Sequence, residues 1–162
     1  MIYQQTIASP VDISGIGLHT GLPVKVRLTP AAANTGIIFQ RTDLEGFVIE
    51  ARSRHVARVS YATSLMKKGV LISTTEHLLS ALAASGVDNV VIEIDNLEVP
   101  ILDGSALPFL RLIGEAGLRR QRAQRTYAKI LKAVEIVEGA KRIAVYPADT
   151  FRITYRIAFP HP

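Results

Sequence analysis

The sequence contains no cysteine and no tryptophan, and only 6% of its residues are aromatic. Without cysteine there is no disulfide framework and no thiolate nucleophile, so any metal must be held by histidine and carboxylate groups. No run approaches the roughly 18 consecutive apolar residues that a membrane-spanning helix needs. The opening "MIYQQTIASP" lacks the basic and apolar regions of a secretory signal, and the expectation is a soluble, cytoplasmic chain. What is present suits a packed core: 162 residues, 48% of them apolar, are enough for one full domain or for one domain and part of another. The net charge of +5 and pI near 9.7 favour an anionic partner, whether a phosphorylated small molecule, a nucleic acid or a lipid surface. Arg119, Arg120, Arg122 and Arg125 fall together in "LRRQRAQR". We read this cluster as a solvated helix end whose cations suit the helix dipole, because no aromatic residue is interleaved to stack on bases and no helix-turn-helix pattern accompanies it.

Alternation predicts strands over Ile2 to Ile7, Val24 to Leu28, Ile37 to Arg41, Phe47 to Ala51 and a long stretch from Val56 to Leu65, which returns through "KKG" into Val70 to Ile72. "SGIGLHTG", residues 14 to 21, reads as loop. The period then changes: Leu78, Leu79, Leu82 and Ala83 share one side of a helix from about Thr74 to Ser85, with Gly86 as its stop. "DNVVIEI" is a strand, and "ILDGSALPFLRLIGEAG" holds a second helix capped by Ser105 and ended by Gly117. The simplest architecture is α+β, a sheet covered on one face by two helices, over residues 1–125. Ile130 to Val137, Arg142 to Tyr146 and Phe151 to Phe159 read as three further strands with no helix to cover them. Residues 126–162 are thus expected to begin a second, incomplete domain with an apolar face liable to self-associate over residues 151–159.

Four places carry candidate chemistry, and each has a plain structural explanation beside it. In "STTEHLL" the Glu76 carboxylate could reach back to the Ser73 N–H as a capping box, or serve as a general base beside a metal-bound water. On a helical wheel His77 points away from Leu78, Leu79 and Leu82 toward Ser80, Ala81 and Ala84, which suits either an exposed histidine or a ligand with room around it. "GIGLHTG" invites a phosphate-loop reading that fails on context, since a strand and not a helix follows; His19 at its tip could still face a ligand. Asp103 in "LDGSALP" stands just before a helix start, where capping accounts for it.

Taken together and in order, "GIGLHTG" at 15–21, "ATSL" at 62–65, "STTEHLLSALAASGVDN" at 73–89 and "EVPILDGSALPF" at 98–109 closely resemble the bacterial UDP-3-O-acyl-N-acetylglucosamine deacetylase family, the zinc amidases of lipid A synthesis. The resemblance runs through nearly all of the chain and marks it as an N-terminal portion. It implies two domains of β-α-α-β build with the site between them. It implies Glu76 as general base, His77 as one zinc ligand and Asp103 in a supporting role. Leu18, His19, Ala62 and Thr63 would line the entrance for a UDP-linked acylated amino sugar. Zinc would polarise the acetamide carbonyl and stabilise the oxyanion.

The departures from the family pattern set limits on this. "YRIAFPHP" resembles an early second-domain strand, but Pro160 stands where an acidic or amide residue is usual. The family's other two zinc ligands and its general-acid histidine belong to segments this chain does not contain, and His19, His55 and His161 match no ligand motif. The 162 residues alone are therefore expected neither to hold zinc tightly nor to turn over substrate. Two other readings are a non-catalytic paralogue acting as a binding module and, on the arginine cluster alone, a basic nucleic-acid-binding domain.

Overall fold

The computed structural model describes residues 2–57 and 60–158. Two compact units divide the chain, Met1–Arg125 and Thr126–Pro162. In the first, the strands are β1 (Tyr3–Ile7), β2 (Val11–Ile16), β3 (Pro23–Pro30), β4 (Ile37–Arg41), β5 (Phe47–Glu50), β6 (Leu65–Lys67), β7 (Val70–Ile72), β8 (Val90–Ile94) and β9 (Leu118–Gln124). The helices are α1 (Glu76–Ser85) and α2 (Leu107–Ala116). The fold is mixed α+β.

A five-stranded sheet in the order β2-β3-β8-β4-β5 forms the base, antiparallel except where β4 runs parallel to β8. Its alternation is the reason for its burial. Val24, Val26 and Leu28 of β3, Val90, Ile92 and Ile94 of β8, Phe39 of β4 and Ile49 of β5 all enter one core, while Lys25 and Arg27 stay exposed. The helices supply Leu78, Ala81 and Leu82 from α1 and Phe109, Ile113 and Ala116 from α2 to the same core. At about 1.5–3 kcal/mol for each large apolar side chain taken out of water, this cluster is the main source of the unit's stability. Gly86 ends α1 in the left-handed conformation at φ 71°, with its N–H on the Leu82 and Ala83 carbonyls.

Several expectations are corrected here. Ser14, Gly15 and Ile16 are not loop but the end of β2, paired with β3. Ala81 is fully buried, so α1 presents Leu78, Ala81 and Leu82 to the core, and His77 does not share a solvent face with Ala81. The arginine cluster is not a helix end. Gly117 closes α2, and residues 118–124 pair antiparallel with β1 as β9. The strand expected over Val56 to Leu65 is reduced to a single Val56–Leu65 bridge and the start of β6, with Tyr61 at φ 63° turning the chain between them; residues 58 and 59 of that span lie outside the described residues.

The ribbon of β1 and β9 is fastened by buried amides. Asn89 Nδ2 donates to Gln4 Oε1 at 2.8 Å and to Gln121 Oε1 at 2.7 Å, its Oδ1 accepts the Gly36 N–H at 2.8 Å, and Gln121 Nε2 donates to the Ala31 carbonyl. Asp88 accepts the Gln5 N–H at 2.8 Å and pairs with Arg125 at 2.6 Å.

In the second unit, β10 (Val134–Glu138) and β11 (Lys141–Val145) form an antiparallel hairpin about Gly139. Ile130 to Ala133 are not strand, and residues 151–158, expected as a third strand, are irregular; Phe159, Pro160 and His161 lie outside the described residues. Ile136, Ile143, Phe151, Ile153 and Tyr155 are each more than half exposed.

Candidate active site

The site grows from the start of α1. The expected capping box is absent: Thr75 occupies the cap position without a side-chain cap bond, and Ser73 cannot receive Glu76 because its N–H already donates to the Leu97 carbonyl at 2.8 Å. Glu76 is left to turn toward the segment that follows the short 3-10 turn Ser53–His55, where its Oε2 accepts the Thr63 N–H at 3.0 Å. Thr75 completes the latch, its N–H at 3.1 Å and its Oγ1 at 3.0 Å both donating to the Thr63 carbonyl. Glu76 and His77 are both half-buried, so the pair lies at the surface of the unit with the Thr63 segment against it.

The glycine-containing loop reaches the same helix start by another route. Glu98, between Leu97 and Val99, is 1% exposed. Its Oε1 accepts the Thr74 hydroxyl at 2.7 Å and the His19 N–H at 3.1 Å; its Oε2 accepts the Thr20 N–H at 2.8 Å. Burial pushes the Glu98 carboxyl up, but the Thr74 hydroxyl and the two backbone N–H groups outweigh it and hold the group below the usual carboxylate range. Successive N–H groups in a loop are an anion-binding arrangement, and here the anion is the chain's own carboxylate. Gly17 is required by this contact, since a Cβ there would stand 2.4 Å from Glu98 Oε2 and 2.3 Å from Thr20 Oγ1. Leu18 and His19 project from the loop with their side chains exposed.

Of the residues expected from sequence, Thr63 and Glu76 are brought into contact, and His19 is linked through Glu98 to Thr74, two residues before Glu76, with Leu18 beside it in the loop. Ala62 is half-buried beside Thr63. Asp103 is exposed, and its Oδ1 accepts the N–H and hydroxyl of Ser105 at 2.9 and 2.8 Å, contacts that hold its carboxyl below the ordinary value and shape the entry to α2. Ser105 does not cap that helix through its side chain in the strict position, which Ala106 takes, but its Oγ accepts the Leu107 N–H at 3.1 Å. Glu98 was the residue sequence reasoning passed over. A single acid amid Leu97, Val99, Pro100 and Ile101 was the available signal for a buried, hydrogen-bonded carboxylate.

Among the described residues no group of three or more His, Asp or Glu side chains could hold a metal ion. A catalytic zinc takes about three protein ligands, so the residues described here do not make up such a site among themselves.

The family model for LpxC, UDP-3-O-acyl N-acetylglycosamine deacetylase, matches residues 4–162. The chain belongs to this family. It is 56% identical over 162 residues to the UDP-3-O-acyl-N-acetylglucosamine deacetylase of Solibacter usitatus, covering 100% of this chain and 55% of that protein. The same name is carried by a relative from Syntrophotalea carbinolica, 49% identical over 163 residues, and by one from Pseudoalteromonas translucida, 48% identical over 164. Each of these matches covers all of this chain and a little over half of the relative, 53% and 54% respectively. The chain thus spans about half the length of the curated relatives it matches. Among the described residues no helix is long and apolar enough to cross a membrane.

Proposed function

We propose that this chain is the N-terminal half of a cytoplasmic, zinc-dependent deacetylase that removes the acetyl group from UDP-3-O-acyl-N-acetylglucosamine in lipid A biosynthesis. Glu76 is the general base: its carboxylate takes the proton of the attacking water as the water oxygen bonds to the acetamide carbon. Collapse of the adduct breaks the C–N bond, the amine leaves with a proton from the general-acid histidine that the family resemblance implies in the second domain, and acetate is released. His77 is one ligand of the zinc, which supplies Lewis acidity when bound. Leu18, His19, Ala62 and Thr63 line the approach of the sugar and its acyl chain, and Asp103 supports the site at one remove. Residues 126–162 are the opening strands of a second domain.

The observation that carries this reading is the position of Glu76. Its carboxylate is not consumed as a helix cap but is oriented by the Thr63 N–H, at a half-buried place beside His77. A hydrogen-bonded, oriented carboxylate is what general-base chemistry requires. The family match over residues 4–162 supports the choice of substrate class.

The test compares acetate release from the UDP-sugar by the 162-residue chain and by the same chain joined in frame to its C-terminal half. Turnover by the longer protein only is the expected result. Robust turnover by 162 residues alone would overturn the division of the site, and no turnover by either would favour a binding module of the same fold.

A further inference from the structure

Glu98 plays no part in the reaction proposed above, yet it is the most deeply buried acid among the described residues and is surrounded by hydrogen-bond donors from two separated segments. We propose that Glu98 is a positioning residue, a two-sided clamp whose carboxylate fixes the 17–20 loop to the start of α1 and so sets where His19 and Leu18 stand relative to Glu76.

The geometry is that of a tie between two segments far apart in the chain. The loop is internally closed, with the Gly17 N–H on the Leu22 carbonyl and the Gly21 N–H on the Gly17 carbonyl, both at 3.0 Å. Beyond these internal bonds, the His19 and Thr20 N–H groups both end on Glu98. On the other side, Thr74 holds a left-handed φ of 56°, an uncommon conformation for a β-branched residue, and its hydroxyl is committed to Glu98 at 2.7 Å. The Glu98 backbone is itself fixed, bridged to Ser73 and flanked by the Val99 N–H on the Ser73 carbonyl. An apolar side chain would fill the same space without the tie, and a carboxylate buried this completely needs several hydrogen bonds to satisfy it. Placement of the loop is what the acid provides that a leucine would not. The His19 and Thr20 N–H groups are therefore unavailable to an anionic ligand, and the exposed side chains of Leu18 and His19 are what this edge offers.

The inference rests on the deacetylase reading for its functional meaning, but its test does not. Amide hydrogen exchange is measured on the 162-residue chain for wild type, Glu98→Gln and Thr74→Val. The first substitution keeps one acceptor oxygen, and the second keeps the shape while deleting one donor. Exchange at the His19 and Thr20 amides is expected to rise about tenfold or more in Glu98→Gln, as for loss of a hydrogen bond to a charged group, and by a smaller factor in Thr74→Val. Amides of β3 and β8 should keep their wild-type rates in Thr74→Val. Unchanged rates at residues 19 and 20 in both variants, or a rise only in step with β3 and β8, would overturn the clamp. In the longer protein both variants should raise KM about tenfold with kcat within about a factor of two; a fall in kcat at constant KM would overturn the positioning role. Loss of turnover in Glu76→Gln is not required for the exchange result, so the two readings fail separately.

Discussion

Truncating Asn89 to alanine is the sharpest test of how the first unit is held together. Asn89 is 1% exposed and joins three segments: Gln4 on β1, Gln121 on β9 and the Gly36 N–H ahead of β4. Asn89→Ala leaves the Gly36 N–H and the Gln121 oxygen without this partner, while Gln4 Oε1 keeps the Asn34 N–H at 2.9 Å. Two half-buried orphans, each in the lower half of the range of about 1–3 kcal/mol for a fully buried group, give an expected loss of about 3 kcal/mol, with the third contact partly compensated. For a unit of this size that is a fall in Tm of about 12 °C. Thermal and urea unfolding followed by circular dichroism and by tyrosine fluorescence measure it, with coincident transitions by the two probes confirming two-state behaviour. Asn89→Asp should cost at least as much at neutral pH, because it sets a carboxylate against two amide oxygens. A loss below about 1 kcal/mol for the alanine variant would mean that water satisfies those amides and that the ribbon is held by something else.

Two further predictions concern charge and exposed surface. Glu50 accepts Lys67 Nζ at 2.9 Å, and that contact, with lesser help from the backbone and His55, lowers its carboxyl to about 2. A pKa depressed on folding contributes stability above the unfolded value and loses it as pH falls toward the folded one, so the contribution should fade between about pH 4.5 and pH 2. Unfolding of wild type and Lys67→Met across that window measures it; a gap between them that does not narrow as pH falls would contradict the assignment. The second prediction is self-association. A two-stranded hairpin is marginal alone, and the pair Ile136 and Ile143 faces each other across β10 and β11 with both side chains mostly exposed. Sedimentation should show dimers or larger species that Ile136→Lys with Ile143→Lys disperses, and a clean monomer of the unaltered chain at high concentration would remove the idea.

The parts of the fold that follow a local period were legible in the sequence. Val24, Val26 and Leu28 against Lys25 and Arg27 marked β3, and Leu78 with Leu82 before Gly86 marked α1. What failed was set by partners distant in the chain. Residues 118–124 look like a solvated charge run until β1, at the opposite end of the unit, pairs with them. The capping box in "STTE" is locally sound and is lost because the Leu97 carbonyl takes the Ser73 N–H first. The same is true of the site. Glu76 and His77 are legible as a pair, whereas Thr63 enters only through its family motif, as lining for the substrate's approach, and its contact with Glu76 is not legible. Glu98 is marked locally only as a lone acid in an apolar stretch, and what it binds is not legible there, because its donors come from residues 19, 20 and 74.

Metal content read beside turnover in the longer protein decides whether Glu76 and His77 form half of a zinc deacetylase site, as proposed. Glu76→Gln is predicted to keep its zinc and lose about 10²-fold or more in kcat, the usual contribution of a general base, while His77→Ala is predicted to lose metal occupancy along with activity. Full zinc content and undiminished acetate release in both variants would contradict the account.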